Sequence, residues 1–337
     1  MVWSTLKTVT AMVLGAFPNT PIVPVYGNND VPYHYVTPLG PRGAPWMAQV
    51  RGLWEPVATC AGCAAGAIPA DFSVWDSTGA YSVAPYAGLR VVALNTLLFG
   101  PFGAFNLSQS GGAAGQAAAA ETMLAWFRAT ITRAASTGER LLVTSHMPPG
   151  MQPFNDKPVW NSTWQGAYAS AVLAAGPIVV GQLFGHFHFD DFRLLTLPGG
   201  STVPVMLAPS VSPVYYNNPA FRDVYLDPAT SAVTNYVQHY ADLPASNAGG
   251  AAAWAKEYSF TDLYGVAPDA AGYGGLPARM AADSRLYGSY LRHHYALYAP
   301  FPHHYICAMA LSGAEEYHAC VKAGLAYDRH DVCLPVS

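Results

Sequence analysis

Gly185-His186-Phe187-His188 follows the apolar run Ile178-Val179-Val180-Gly181-Gln182-Leu183-Phe184, so two imidazoles leave one strand end a single residue apart. That spacing can aim both rings into one cavity, and imidazole together with amide or carboxylate oxygen suits borderline divalent metals such as zinc, manganese or iron. Two further segments have the same build. Leu141-Leu142-Val143-Thr144-Ser145 runs into His146, and Ile22-Val23-Pro24-Val25-Tyr26 runs into Gly27-Asn28-Asn29-Asp30. Three strand ends therefore offer nitrogen and oxygen ligands, at the carboxyl ends where open α/β sheets place their sites. A His-x-His after a buried strand has few structural reasons to exist. His146 alone would read as a core or surface histidine, and its context Ser145-His146-Met147-Pro148-Pro149-Gly150 turns it into a ligand candidate.

The elements that must carry these residues are read from periodicity. Val2, Leu6, Val9, Val13 and Leu14 follow helical spacing, so Met1 to Phe17 is expected to be an amphipathic helix of the fold rather than a signal peptide. Helices are expected at 45–57, at 116–136, where Met123, Leu124, Phe127 and Ile131 share a face, and at 163–175. Strands are expected at 79–83, 89–94 and 141–145, then as a meander at 192–197, 203–207, 224–226 and 232–240 with Gly199-Gly200 and Asp227-Pro228 turns. The Ala-Gly run 245–253 marks a boundary, beyond which helices are expected at 254–264, 276–297 and 306–325. This gives a main α/β domain over 1–245 and a C-terminal helical subdomain over 246–337. His293, His294, His303 and His304 lack strand-end context and are expected at the surface or in packing.

The chain has 337 residues, a net charge of −4 and only 11% charged residues, so no basic stripe can neutralise a nucleic-acid backbone. No run of eighteen apolar residues exists to span a membrane. Cys60 and Cys63 sit in an Ala-Gly-rich segment that reads as a loop clipped by a disulfide rather than a redox motif opening a helix, and Cys307, Cys320 and Cys333 cluster near the C-terminus. The sequons at Asn106 and Asn161 agree with glycosylation in the secretory pathway. A secreted or lumenal location, extracellular or lysosomal, is the expectation.

In this order, Gly27-Asn28-Asn29-Asp30, Ser145-His146-Met147-Pro148-Pro149-Gly150 and Gly185-His186-Phe187-His188-Phe189-Asp190-Asp191-Phe192 resemble the calcineurin-like metallophosphoesterases, and within them the acid sphingomyelinase-like branch. The branch resemblance rests on Leu94-Asn95-Thr96, on Leu207-Ala208-Pro209-Ser210 followed by Asn218-Pro219-Ala220-Phe221-Arg222, on Trp254-Ala255-Lys256-Glu257-Tyr258, and on Tyr305-Ile306-Cys307 with Cys320. It implies a four-layer α/β sandwich of two mixed β-sheets flanked by helices, and a centre of two divalent metals, zinc in the first instance. By the resemblance, Asn28, His146 and His186 hold one ion and His188 serves the other, and Cys307 bonds Cys320. The implied activity is metal-dependent hydrolysis of a phosphoric diester, in a small molecule or a lipid head group.

The chain departs from that pattern. Residues 1–29 contain neither Asp nor His, whereas the family places an Asp-x-His and a bridging Asp before its Asn motif. The expectation is a domain truncated at its N-terminus, at most one ion held well, and impaired hydrolysis. Asn29 stands where most relatives have a histidine, and an amide cannot transfer a proton at neutral pH. The Gly-Asn-Asn-Asp form is also similar to endopolyphosphatase-type members. In those a histidine follows shortly, so His34 has two readings, an acid or phosphate-contacting group and an ordinary loop histidine. The alternatives to a phosphodiesterase are a non-catalytic remnant of the fold and an endopolyphosphatase-like hydrolase.

Overall fold

A computed structural model describes residues 1–100, 111–196, 200–298 and 305–323. The chain divides into two compact units, residues 1–147 with 163–180, and residues 148–162 with 181–337.

The first unit carries helices α1 (Val2–Ala16), α2 (Gly40–Ala58), α3 (Trp75–Thr78), α4 (Gly112–Thr137) and α5 (Ser162–Ala175), and strands β1 (Ala70–Asp71), β2 (Tyr81–Tyr86), β3 (Leu89–Ala93) and β4 (Arg140–Thr144). The strands lie in that order. β1, β2 and β3 pair antiparallel, and β3 pairs parallel with β4 from Leu89↔Arg140 to Ala93↔Thr144. The parallel pair needs a long crossover. It is supplied by α4, which buries Ala119, Ala120, Met123, Leu124, Phe127 and Ala134 at helical spacing. An aromatic cluster forms the floor below the first candidate loop. Tyr26 packs on Trp54 and Trp75 at 4.9 and 5.6 Å, and Phe72 stacks on Tyr81 at 4.6 Å. Burying each such ring stabilises by about 1.5–3 kcal/mol, so Tyr26 is fixed immediately before Gly27. Gly79, at φ +76°, lies so close to the Tyr26 ring that an added Cβ would stand 2.8 Å from it.

The second unit carries β5 (Met151–Gln152), β6 (Lys157–Pro158), most of β7 (Val179–Phe184), β8 (Asp191–Thr196), β9 (Thr202–Leu207), β10 (Ala220–Leu226), β11 (Val233–Ala241) and β12 (Trp254–Ser259). Its helices are α6 (Leu243–Gly249), α7 (Phe260–Tyr264), α8 (Ala270–Ala282), α9 (Ser284–His294), α10 (Tyr305–Ala310) and α11 (Ala314–Ala323). β9 pairs parallel with β7 and antiparallel with β8, while β10, β11 and β12 form an antiparallel meander. The class is α/β with mixed strand pairing, as expected.

Three local expectations are corrected. Ile22–Tyr26 joins no sheet among the described residues. Pro21 and Pro24 remove ladder donors from that short stretch, and its contacts are Ile22 N–H to Val57 O at 3.0 Å and Pro24 O accepting from the Tyr81 hydroxyl at 2.7 Å. Residues 254–259, expected to open a helix, form β12, and helix begins only at Phe260. The expected helix 276–297 is two helices broken at Asp283, whose carboxylate caps α9 by accepting from the N–H groups of Arg285 and Leu286. An N-cap aspartate satisfies donors that a continuous helix would not leave free.

Candidate functional site

In the first unit, the loop Gly27–Asp30 turns sharply. The Asp30 N–H donates to Gly27 O at 3.0 Å, and the Gly27 N–H donates back to Asp30 Oδ2 at 2.9 Å. Burial raises the Asp30 carboxyl above its ordinary value, against the pull of that N–H. A Cβ on Gly27 would lie 2.8 Å from Asp30 Oδ2 and 3.3 Å from the His146 ring, so only glycine lets carboxylate and imidazole close on this backbone. The following segment folds back through Tyr35 N–H to Asn28 O at 3.1 Å, which returns His34 to Asn28.

The result is a chain of neutral groups. His146 Nε2 stands 2.7 Å from Asn28 Oδ1, and Asn28 Nδ2 stands 2.9 Å from His34 Nε2. With the amide oxygen accepting, His146 carries its proton on Nε2. With the amide nitrogen donating, His34 Nε2 is bare. Asn28 is buried, while Asn29 and His34 are exposed. His146 is held from behind by the Leu94-Asn95-Thr96 segment. The Ser145 hydroxyl donates to Leu94 O at 2.8 Å and meets the Thr96 hydroxyl at 2.8 Å, and Thr96 reaches Met147 O at 2.9 Å. Asn95 donates to Thr37 Oγ1 and Thr78 O, at 3.0 and 2.8 Å. These buried hydroxyls and amides were legible in the sequence only as a motif without a task.

In the second unit, His186 and His188 follow β7, both in left-handed backbone at φ +77° and +71°. That region costs a residue with a Cβ about 1–2 kcal/mol, so the surroundings must enforce it. The Phe187 N–H donates to Gly185 O at 3.0 Å, and His188 O accepts from Ser210 N–H at 3.2 Å. The Phe187 ring lies under the Arg193 guanidinium at 5.3 Å, and the His188 ring meets Tyr215 edge-on at 4.9 Å. Burial pushes the His188 imidazole below its ordinary value. Its buried Nδ1 has no hydrogen-bond partner among the described residues. Sequence reasoning missed Tyr215, whose exposed loop carries no periodic signal.

Asp190 and Asp191 are both buried. Asp190 pairs with Arg222 and accepts from Tyr258, and burial pushes its carboxyl up to about 6 although Arg222 pulls it down. Asp191 pairs with Arg193 and accepts from Tyr290 at 2.9 Å. His294 is buried against Tyr290, and His293 meets Glu257 at 2.8 Å, so both serve packing and local bonding. His303 and His304 lie outside the described residues.

The expected disulfides are present. Cys60–Cys63 and Cys307–Cys320 have Cα separations of 5.3 and 5.9 Å. Cys333 and Asn106 lie outside the described residues, and Asn161 is exposed. Leu97, Leu98 and Phe99 are buried in a short turn and belong to the core. No described helix is long and apolar enough to cross a membrane.

The donor set does not complete a two-metal centre. Among the described residues, no three His, Cys, Asp or Glu side chains gather where they could hold an ion. An imidazole Nε2 that donates to an amide oxygen has no lone pair to give a metal, and neutral donors alone balance a dication poorly.

No family model matches the chain. Among curated proteins it is 25% identical over 329 residues to a sphingomyelinase phosphodiesterase D of Dictyostelium discoideum, covering 94% of this chain and 70% of that protein. It is 25% identical to the human acid sphingomyelinase-like phosphodiesterase 3b over 98% of this chain and 70% of that one. It is 26% identical to a rat cyclic GMP-AMP phosphodiesterase over 95% of this chain and 72% of that one. The chain is thus similar to acid sphingomyelinase-like phosphodiesterases along nearly its whole length. Other sphingomyelin phosphodiesterases are matched over smaller shares of their length, 42% for phosphodiesterase A of Dictyostelium. A solved dimetal phosphatase of Danio rerio aligns with a TM-score of 0.33 at 18% identity over 50% of this chain and 59% of that one, a likeness too slight to bear on the fold.

Proposed function

We propose that this chain is a phosphodiester hydrolase scaffold whose active-site residues are Asn28 and His146 in the first unit and His186 and His188 in the second, with Asn29 and His34 beside Asn28. The observation that supports it is the similarity to phosphodiesterases along 94% of the chain, with the Asn loop, the His-Met-Pro-Pro loop and the His-x-His loop in the order the resemblance requires. The substrate class is a phosphoester, in a small molecule or a lipid head group, since relatives carry both kinds of name. The catalytic domain is assigned to 1–245 and the C-terminal subdomain to 246–337. A secreted or lumenal location with glycosylation at Asn106 and Asn161 suits the two disulfides.

Divalent metal dependence, zinc first, comes to the proposal from the resemblance. The donors brought together here do not satisfy such a centre. What the chain's own residues do is bind and orient. Asn28 holds His146 by one amide atom and His34 by the other, so a proton on His146 Nε2 and a bare His34 Nε2 belong to one arrangement. His34 Nε2 can accept a proton once the Asn28 amide N–H releases it, and the charged ring would then contact a phosphoryl oxygen. The second reading is a non-catalytic remnant, favoured by the gathering of no three His, Cys, Asp or Glu side chains among the described residues.

Turnover of bis(p-nitrophenyl) phosphate by the purified chain, with saturating manganese or zinc, tests the proposal. Slow hydrolysis abolished by both His146→Ala and His186→Ala supports the hydrolase. Metal uptake without any hydrolysis supports the remnant.

A further inference from the structure

Arg222, Gln238 and Tyr258 are register partners across β10, β11 and β12, so they form one rung on one face of the meander. Their neighbours Phe221 and His239 pair with each other on the opposite face, where Phe221 is exposed, and a register shift between Gln238 and His239 leaves Glu257 without a register partner. The rung is buried and polar. Arg222 lies over the Tyr236 ring at 4.2 Å and donates through Nε to Gln238 Oε1 at 3.1 Å, and Gln238 donates onward to Glu257 Oε2 at 2.9 Å. Both ends of the rung converge on one carboxylate, Asp190, which takes the Arg222 guanidinium on one oxygen and the Tyr258 hydroxyl on the other. The Asp190 N–H donates to His294 O at 3.1 Å. Asp190 stands two residues beyond His188.

A buried Arg–Asp pair is often no more stabilising than apolar residues of the same volume, so stability gives little reason for this rung. What apolar side chains cannot supply is direction. A fork of donors on a rigid sheet fixes both oxygens of one carboxylate, and with them the path of the chain that leaves His188 in left-handed backbone. We infer that the Arg222–Gln238–Tyr258 rung is a positioning device which, through Asp190, sets the conformation of His188. Arg222 and Tyr258 are positioning residues that touch no substrate. This rests on the proposed role of His188 for its consequence in catalysis, but the positioning itself is measurable without activity.

The experiment uses the full chain and the variants Arg222→Met, Tyr258→Phe and the double variant Asp190→Asn with Arg222→Met. Amide hydrogen exchange is followed without metal at Ser210, whose N–H bonds His188 O, and at position 190, with α4 as the reference. Removing one partner strands a buried charge and lowers Tm, whereas the double variant removes both charges and regains most of it. Positioning predicts that exchange at both sites rises at least about tenfold over the α4 reference in Arg222→Met and stays raised in the double variant. In the presence of manganese, kcat falls about a hundredfold with KM little changed. The inference is overturned if exchange at Ser210 and position 190 is unchanged, rises only in step with α4, or returns to normal with Tm in the double variant. If the wild-type chain takes up no manganese and hydrolyses nothing, the hydrolase reading fails and the exchange data still decide the positioning.

Discussion

The two groups of candidate residues begin alike and are held by different physics. In the first unit, Asn28, His34 and His146 are linked by neutral hydrogen bonds at 2.7 and 2.9 Å, with hydroxyls of Ser145 and Thr96 behind them. In the second, His186 and His188 sit in costly backbone, and two buried ion pairs, at Asp190 and Asp191, follow directly in the chain. A neutral network bends at about 1 kcal/mol per bond. A buried charge left without its partner costs several times that. The first loop can therefore adjust to a ligand, while the second offers one fixed geometry.

That contrast fails first, if it is wrong, on turnover. Both groups are made of neutral donors. Two bridged dications normally supply several kcal/mol to a phosphodiester transition state, so we expect this donor set to support hydrolysis of such substrates at least about a thousandfold more slowly than a complete dimetal centre. Near-normal rates abolished by His186→Ala would show that other residues complete the centre.

The next largest effect is on stability. Arg193 and Asp191 are both almost wholly buried, and Arg193 also donates to Phe192 O at 2.8 Å. Asp191→Asn is expected to lower the unfolding free energy by about 3–5 kcal/mol, because it strands the guanidinium. Urea titration measures it, and a loss below 1 kcal/mol would mean that the second loop is not held by charge. In the first unit Gly27→Ala is the corresponding lesion, since its Cβ meets the Asp30 carboxylate at 2.8 Å. Overpacking of that kind costs about 1–3 kcal/mol. Asp191→Asn should cost more than Gly27→Ala, and the reverse order would contradict the contrast.

Reducing the disulfides sharpens the same comparison. Cys307–Cys320 closes a separation of 13 residues in the second unit and Cys60–Cys63 only 3 in the first. Loop-closure entropy assigns them about 3 and 1.6 kcal/mol. Cys307→Ser with Cys320→Ser should therefore lower Tm more than Cys60→Ser with Cys63→Ser, and the reverse order in a thermal melt would contradict it.

Much of this was legible in the sequence. The helix over Gly112–Thr137 and the strand into His146 announce themselves by period, and the His-x-His pair by type and spacing. What stayed hidden depends on partners far apart in the chain. Asp190 meets Arg222 and Asp191 meets Tyr290, 32 and 99 residues away, so neither acid could be told from a loop acid. A wholly buried Arg193 runs against the usual exposure of arginine. Trp254–Ser259 has burial that drifts along its length instead of alternating, so it gave no strand signal, and its identity as β12 comes from pairing with β11.

The smallest expected effect separates the two sides of Asn28. Its oxygen faces His146 in a partly buried contact, whereas its nitrogen faces exposed His34. Asn28→Ala removes the 2.7 Å acceptor of a ring that water reaches poorly, a loss of about 1 kcal/mol. His34→Ala removes an acceptor that water replaces, and surface changes of that kind stay within about 0.5 kcal/mol. Histidine NMR adds a readout that stability lacks. In the wild type the donating nitrogen of His146 is Nε2, so its Nε2–H proton should be protected from exchange with water. In His34→Ala that proton should stay protected, and in Asn28→Ala it should broaden into the solvent. Protection lost in His34→Ala as well would mean that the three groups move as one unit, and that the first loop is as rigid as the second.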